Sequence, residues 1–242
     1  MSDEVLSQLA PTGTLRAGIN MANKLLVTGE SASGDPDGVG PEFAAAIGER
    51  LGVPIAYIPF ASPGELADAV GSGVWDIGLI GAEPSRAEKI AFTAAYVEIE
   101  ATYLVPEGSP FQTIDDVDRE GVRIAVSGRS AYDLYLTRSL KHAELVRAQG
   151  LPGALELFVA EKLDALAGLR PALNNDVGKV PGARILEGRF TAVQQAVGTV
   201  KRNAAAAAFL AAFVEEKKAS GMVAGLIEKH GVVGRLSVAP AA

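Results

Sequence analysis

The chain of 242 residues contains no cysteine and only two histidines, His142 and His230. The first absence excludes disulfides and thiolate chemistry, and the second leaves too few imidazoles for a histidine-rich metal site. No metal ligand and no cofactor are therefore assigned, and both histidines read as ordinary helix residues. Cations are also in the minority, with 22 Lys and Arg against 29 Asp and Glu and a formal charge of −7. Nucleic acid and anionic membrane surfaces are excluded as partners, because they require clustered basic side chains; a local basic pocket is not. No run approaches the roughly 20 apolar residues of a membrane span, so no membrane insertion is expected. The opening MSDEVLSQLAPTG lacks the basic and apolar regions of an export signal. Either the chain works in the cytoplasm with Met1 as its native start, or a leader was removed and Met1 was added to the mature sequence. The Walker loop, HExxH, GxSxG and a dinucleotide fingerprint after the first strand are missing as well. No catalytic residue is assigned, and a binder is favoured over an enzyme.

What is present is a globular composition, 48% hydrophobic, arranged in strand-helix alternation. Residues 1–13 read as a short polar lead, followed by a strand in TLRAGIN that ends on Asn20 and Asn23. TGESASGDPDGVG reads as turns with a hairpin closed at Asp37 and Gly38. Pro41 is expected at the first position of a helix whose face holds Phe43, Ala46, Ile47 and Leu51, with Gly52 as its stop. A strand in VPIAYIPF and a helix capped by Ser62 lead into the stretch Gly71 to Phe92. There Trp75 to Ile80 has the apolar run of a strand covered on both faces. It gives way to Gly81, Ala82, Glu83, Pro84, Ser85 and Arg86, a loop before an amphipathic turn at Ala87. Ligands of parallel sheets sit at the carboxyl ends of strands, so this loop is the expected place for polar chemistry. TAAYVEIEATYLVPEG is extended. From Ser109 the pattern restarts with a short capped helix, a strand in GVRIAVSG, a helix over SAYDLYLTRSLKHAEL, another in LPGALELFVAEK, and a strand from Ala165 to Leu169. RILEGRFTAVQQAVGTVK is extended, and the alanine-rich tail is packed helix.

The order of GTLRAGIN, DPDGVGPEFAAAIGERLGVPIAYIPF, ELADAVGSGVWDIGLIGAEPSRAEKIAFTAAY and DDVDREGVRIAVSGRS resembles the family 3 solute-binding proteins of bacterial ABC transporters, the polar-amino-acid-binding type. Each fragment is short, and their order and spacing together carry the likeness from about Gly13 to about His230. The resemblance implies an α/β, two-lobed, periplasmic-binding-protein-like (type II) clamp, each lobe a mostly parallel sheet flanked by helices. Lobe one would comprise 1–103 and 198–242 and lobe two 104–197, with hinge strands near 103–107 and 196–200. It also implies a monomer that receives a small carboxylated ligand between its lobes, an ABC transporter permease as partner, and a periplasmic location.

Roles follow from the resemblance where positions match. Arg86 stands where the family holds its ligand's carboxylate, and a guanidinium suits that task by donating two parallel hydrogen bonds. Gly81 and Ala82 would supply backbone groups. Ser127, Gly128, Arg129 and Ser130 match a loop whose hydroxyl and N–H groups meet the same carboxylate at a helix start. Asn20 and Phe60 stand at strand ends, the first as an amide near the ligand or a strand terminator, the second as a wall or as core. Two departures stand out. The loop before Arg86 is two residues shorter than the family's and carries Glu83. After the strand DALAG, where an acid receives an amino acid's α-ammonium, the chain has Leu169 and Arg170. Either Glu83 takes that ammonium, or the ligand has none and Arg170, with Arg129, recognises a second acid. The alternatives are a cyclohexadienyl dehydratase-like lyase on the same fold, with Glu83 as its general acid, and a cytoplasmic ligand sensor.

Overall fold

The computed structural model describes residues 2–242; Met1, on which the choice of a native start turns, lies outside them. Helix α1 (Asp3–Leu9) replaces the expected polar lead. The Ser2 side chain accepts from the Val5 N–H at 3.3 Å, Asp3 and Glu4 complement the helix start, and Val5 and Leu9, four apart, bury the same face. Strand β1 (Leu15–Asn20) follows as expected. The hairpin of β2 (Gly29–Glu30) and β3 (Pro36–Asp37) closes over residues 31–35, not at Asp37 and Gly38. Gly38 instead begins α2 (Val39–Leu51) at φ 146°, which puts Pro41 in the first turn, after its first position. Gly52 ends α2 in the left-handed region at φ 72°. Next come β4 (Ile55–Phe60), α3 (Pro63–Asp68) with the Ser62 cap, β5 (Ile77–Gly81), the single turn α4 (Pro84–Ala87) and β6 (Ile90–Val105).

A 3-10 turn at Ile114–Val117, with a capping box between Thr113 and Asp116, leads to β7 (Arg123–Ser127) and α5 (Ala131–Ser139). The helix expected to run on through Leu145 stops there, and β8 (Glu144–Ala148) takes over. Parallel pairing with β7, from Arg123 opposite Glu144 to Ser127 opposite Ala148, outweighs the local pattern. His142 thus lies between elements, its N–H donating to Asp118 Oδ1 at 2.8 Å. Then follow α6 (Gly150–Ala160), β9 (Ala165–Leu169), α7 (Arg170–Asp176), β10 (Arg184–Ile185), β11 (Thr191–Val200), α8 (Ala204–Ala219), α9 (Met222–Lys229) and β12 (Ser237–Val238).

The chain divides into two compact units, one running up to Glu98 and resuming over Gln194–Ala242, the other Ile99–Val193. Both partings fall inside long strands, β6 and β11. In the first unit β1 pairs parallel with β4 and with β5, and β11 adds antiparallel to β5. One face of this sheet is packed by Leu66, Trp75, Ile80 and Ile90. The buried Trp75 satisfies its indole N–H on the Leu66 carbonyl at 3.0 Å. Gly78 is required by that contact, since a Cβ there would stand 2.8 Å from Leu66. Phe43 of α2 stacks on Tyr96 at 4.7 Å between ring centres and meets Phe213 of α8 edge-on, so the alanine-rich tail is packed helix as expected. Asp76, the polar break before β5, accepts from the Arg16 backbone N–H at 2.9 Å and from Nε and Nη2 of its guanidinium at 2.9 and 2.6 Å. In the second unit β7 pairs parallel with β8 and β9, while β9 pairs antiparallel with residues 101–104 of β6.

Candidate functional site

Parallel pairing in the first unit brings strand ends to one edge of the sheet. Asn20 lies opposite Phe60, and Ile19 opposite Leu79, so β5 ends beside them on Ile80 and Gly81. Pro84 starts α4 immediately after Glu83, and Arg86 therefore sits in a helical turn and not in a loop. The Glu83 carbonyl accepts from the N–H groups of Arg86 and Ala87 at 3.0 and 2.9 Å. Arg86 is 7% exposed and Glu83 8%, so neither is a solvated surface residue. Arg86 Nη1 donates to the Gly81 carbonyl at 2.7 Å, and the Ala82 N–H donates to the Gln194 carbonyl at 2.7 Å. This turn is tied to its own strand and to β11 by the groups that define it. Asn20 Oδ1 accepts from the Ala22 N–H at 3.2 Å, and the buried Asn23 does the same for Leu25. Both are side-chain turns that end β1. Phe60 packs against the cluster of Leu66, Trp75, Ile80 and Ile90.

In the second unit the sequence Ser127 to Ser130 joins β7 to α5. Ser130 caps the helix, accepting from the Asp133 N–H at 3.1 Å. Asp133, 3% exposed, reaches back to the Arg129 N–H at 2.7 Å. Arg147 of β8 supports it, its Nε lying 3.0 and 3.2 Å from the two oxygens. Arg129 adopts φ 62°, a left-handed conformation unfavourable for a residue with a Cβ. The Gly128 N–H donates to the Ala148 carbonyl at 2.9 Å and the Ser130 N–H to the Ser127 carbonyl at 3.3 Å. The N–H groups of Gly128, Arg129 and Ser130 are thus engaged within the unit, and contact from these three residues falls to side chains. Tyr132 is buried, which pushes its phenol up to about 12 against the opposing hydrogen bonds of Ser130 and Ser127. Arg170 opens α7 with Nε 2.9 Å from Glu100 Oε2, and its Nη2 also donates to the carbonyls of Leu186 and Gly188. Arg189 flanks the same carboxylate at 3.5 Å. Leu169 turns into the apolar cluster of Tyr103, Tyr132 and Val193.

The sequence profile of the bacterial extracellular solute-binding proteins, family 3, matches residues 15–233. This chain belongs to that family. The family 3 solute-binding protein is also similar to solved structures across nearly its whole length. A mutant of ArgBP from T. maritima matches with a TM-score of 0.73 at 20% identity, covering 94% of this chain and 99% of that one. The substrate-binding protein AbpA of an amino acid ABC transporter from Streptococcus pneumoniae, bound to L-arginine, matches at 0.72 and 19%, covering 92% and 96%. An ancestral amino acid-binding protein described as a precursor of cyclohexadienyl dehydratase matches at 0.73 and 20%, covering 93% and 98%. No curated protein sequence matches. The fold is accordingly that of the type II periplasmic binding proteins. No helix among the described residues is long and apolar enough to cross a membrane.

Several residues that shape these sites escape a sequence reading of this family 3 protein. Asp133 had a usable signal, since Ser130 and Asp133 have the spacing of a capping pair. Arg147 had none, because it approaches Asp133 only through the pairing of β7 with β8. Glu100 reads as one tooth of an exposed alternation, and its two arginine partners come from chain 70 and 89 residues away.

Proposed function

We propose that this family 3 protein is the solute receptor of an ABC-type uptake system, and that it holds the carboxylate of a small organic acid through Arg86. The supporting observation is the burial of Arg86 at the carboxyl end of a fully buried strand, with one nitrogen anchored on Gly81. An anchored fork loses little rotamer entropy on meeting a carboxylate. Gly81, Ala82 and Asn20 contribute polar atoms around it, Phe60 an apolar edge and Glu83 a second charge. The side chains of Ser127, Arg129 and Ser130, beside Gly128, form a second anion-binding element at the start of α5. With Leu169 turned into the core and Arg170 engaged by Glu100, the end of β9 offers no acid for an α-ammonium. A ligand without one suits this set better than an ordinary amino acid. Arg170 joins only if a second ligand acid draws it from Glu100. The protein acts as a monomer in the periplasm, delivers its ligand to a membrane permease, and catalyses no reaction.

A thermal-shift screen of α-amino acids, dicarboxylates and aromatic acids tests the ligand class; stabilisation by ordinary amino acids alone overturns the reading of Leu169 and Arg170. Arg86→Ala is expected to abolish the shift given by the best ligand, and an undiminished shift removes Arg86 from the site. One observation favours a second reading. Glu83 is a buried side chain in the same turn as Arg86, and a carboxyl group held there is the candidate general acid of a lyase. Turnover of arogenate or prephenate, lost in Glu83→Gln, establishes it.

A further inference from the structure

Asp37, Glu42 and His230 have no part in the carboxylate site, yet their donor atoms converge. One ligand atom from each lies within 4.8 Å of the others, the only such group among the described residues. They come from β3, the first turn of α2 and the residue that ends α9, so the fold alone assembles them. His230 is not the ordinary helix residue read from the sequence. Its side chain is 6% exposed, with Nε2 2.8 Å from Glu42 Oε1 and Nδ1 3.3 Å from Thr28 Oγ1. The Lys229 ammonium reaches both Glu42 oxygens, at 2.6 and 2.8 Å. Burial pushes the Glu42 carboxyl up, but the hydrogen bonds from Lys229 and His230 outweigh it and hold it below its ordinary range.

We propose that Asp37, Glu42 and His230 form a binding site for a divalent transition-metal ion of the Zn2+ type, which takes the place now held by the Lys229 ammonium. One imidazole nitrogen with two carboxylates is a donor set that suits Zn2+ and its neighbours and disfavours Mg2+, which prefers oxygen and water. Thr28 supplies what the imidazole needs. A hydroxyl rotates to accept or donate, so it can accept the hydrogen bond of an Nδ1–H and leave the Nε2 lone pair for the metal, while fixing the ring. Glu42 is 27% exposed on its side chain, which lets water complete the coordination shell. The Lys229 side chain is 62% exposed, so its ammonium leaves for solvent at small cost. The cluster already carries a cation on the Glu42 carboxylate, within the electrostatic reach of Asp37, and a metal ion adds the one interaction the ammonium cannot make, a bond to the imidazole.

The test is calorimetric titration of the tag-free chain with zinc chloride, in parallel with thermal shift. One ion is expected to bind per chain and to raise the melting temperature by about 5–10 °C at a hundredfold excess over Kd. Magnesium should be at least tenfold weaker. His230→Ala and Glu42→Gln should each lower zinc affinity at least tenfold, and Lys229→Ala should raise it by removing the competing cation. His142→Ala, which alters the chain's other imidazole, should leave it unchanged. The proposal fails if zinc neither binds nor stabilises the wild-type chain, if Glu42→Gln and His230→Ala leave its affinity intact, or if magnesium binds equally well. Should His230→Ala not fold, His230→Gln and Glu42→Gln carry the same comparison.

Discussion

Arg86 keeps a charged group almost wholly out of water, and its Nη1 bond to Gly81 fixes one end of the fork. Charge and shape can be separated at this position. Arg86→Lys keeps the cation and loses the planar donors, so it should fold while binding the ligand at least tenfold more weakly by calorimetry. Arg86→Ala, which truncates a desolvated charge partner, should cost about 2–5 kcal/mol of binding, or roughly 30- to 4,000-fold. Gly38 poses a purely steric question. It sits at φ 146°, and a Cβ there would stand 2.3 Å from the Leu26 carbonyl oxygen, a backbone atom that cannot swing aside. Gly38→Ala should therefore destabilise the first unit by about 1–3 kcal/mol from backbone strain alone, with the clash added; chemical denaturation measures the loss. Neither the burial of Arg86 nor the approach of Leu26 to Gly38 is written locally. Each depends on chain brought back by the sheet or the hairpin.

Elements in the first unit were legible where periodicity and punctuation agreed. β5 carries an uninterrupted apolar run, β1 and β4 are largely apolar, and α3 carries Ser62 and Pro63 at its start. The elements misread were those held by partners. α1 is too short to be stable alone and persists through Val5 and Leu9, while β8 exists because β7 offers its edge. Trp75 shows how much one such packing contributes. Trp75→Ala removes the buried centre between α3 and the sheet and should cost about 3–5 kcal/mol in urea unfolding. Asp118 plays the corresponding polar part ahead of β8. Its carboxylate accepts from the N–H groups of Lys141, His142 and Ala143. Burial pushes it up, and these donors outweigh that and hold it below the ordinary carboxylate range. A lowered folded value means that its stabilising contribution is complete above the unfolded value near 4 and is lost as pH falls through the folded one. Acid titration of stability should accordingly show a shallower slope in Asp118→Asn than in the wild type.

For the whole molecule, the ligand class is the open question with the sharpest answer. On the proposed reading, an acidic chain of net charge −7 binds its anion through a few placed cations, so ligand stabilisation should survive moderate salt when Arg86 is buried as it is here. A strong loss of the thermal shift between 50 and 300 mM NaCl would point instead to exposed cations. The family, the α/β alternation and the place of Arg86 after β5 were all readable in the sequence, because order along the chain and spacing within it carry them. The arginine's burial, the engagement of Arg170 by Glu100, the Asp133–Arg147 support beneath Ser127 to Ser130, and the meeting of Asp37, Glu42 and His230 were not. These are contacts between residues up to 193 positions apart in the numbering. A side chain's partners in such contacts are selected by strand register and helix docking, which no local pattern encodes. The sequence by itself determined what kind of receptor this is; only the tertiary structure decided which of its charges are already spoken for.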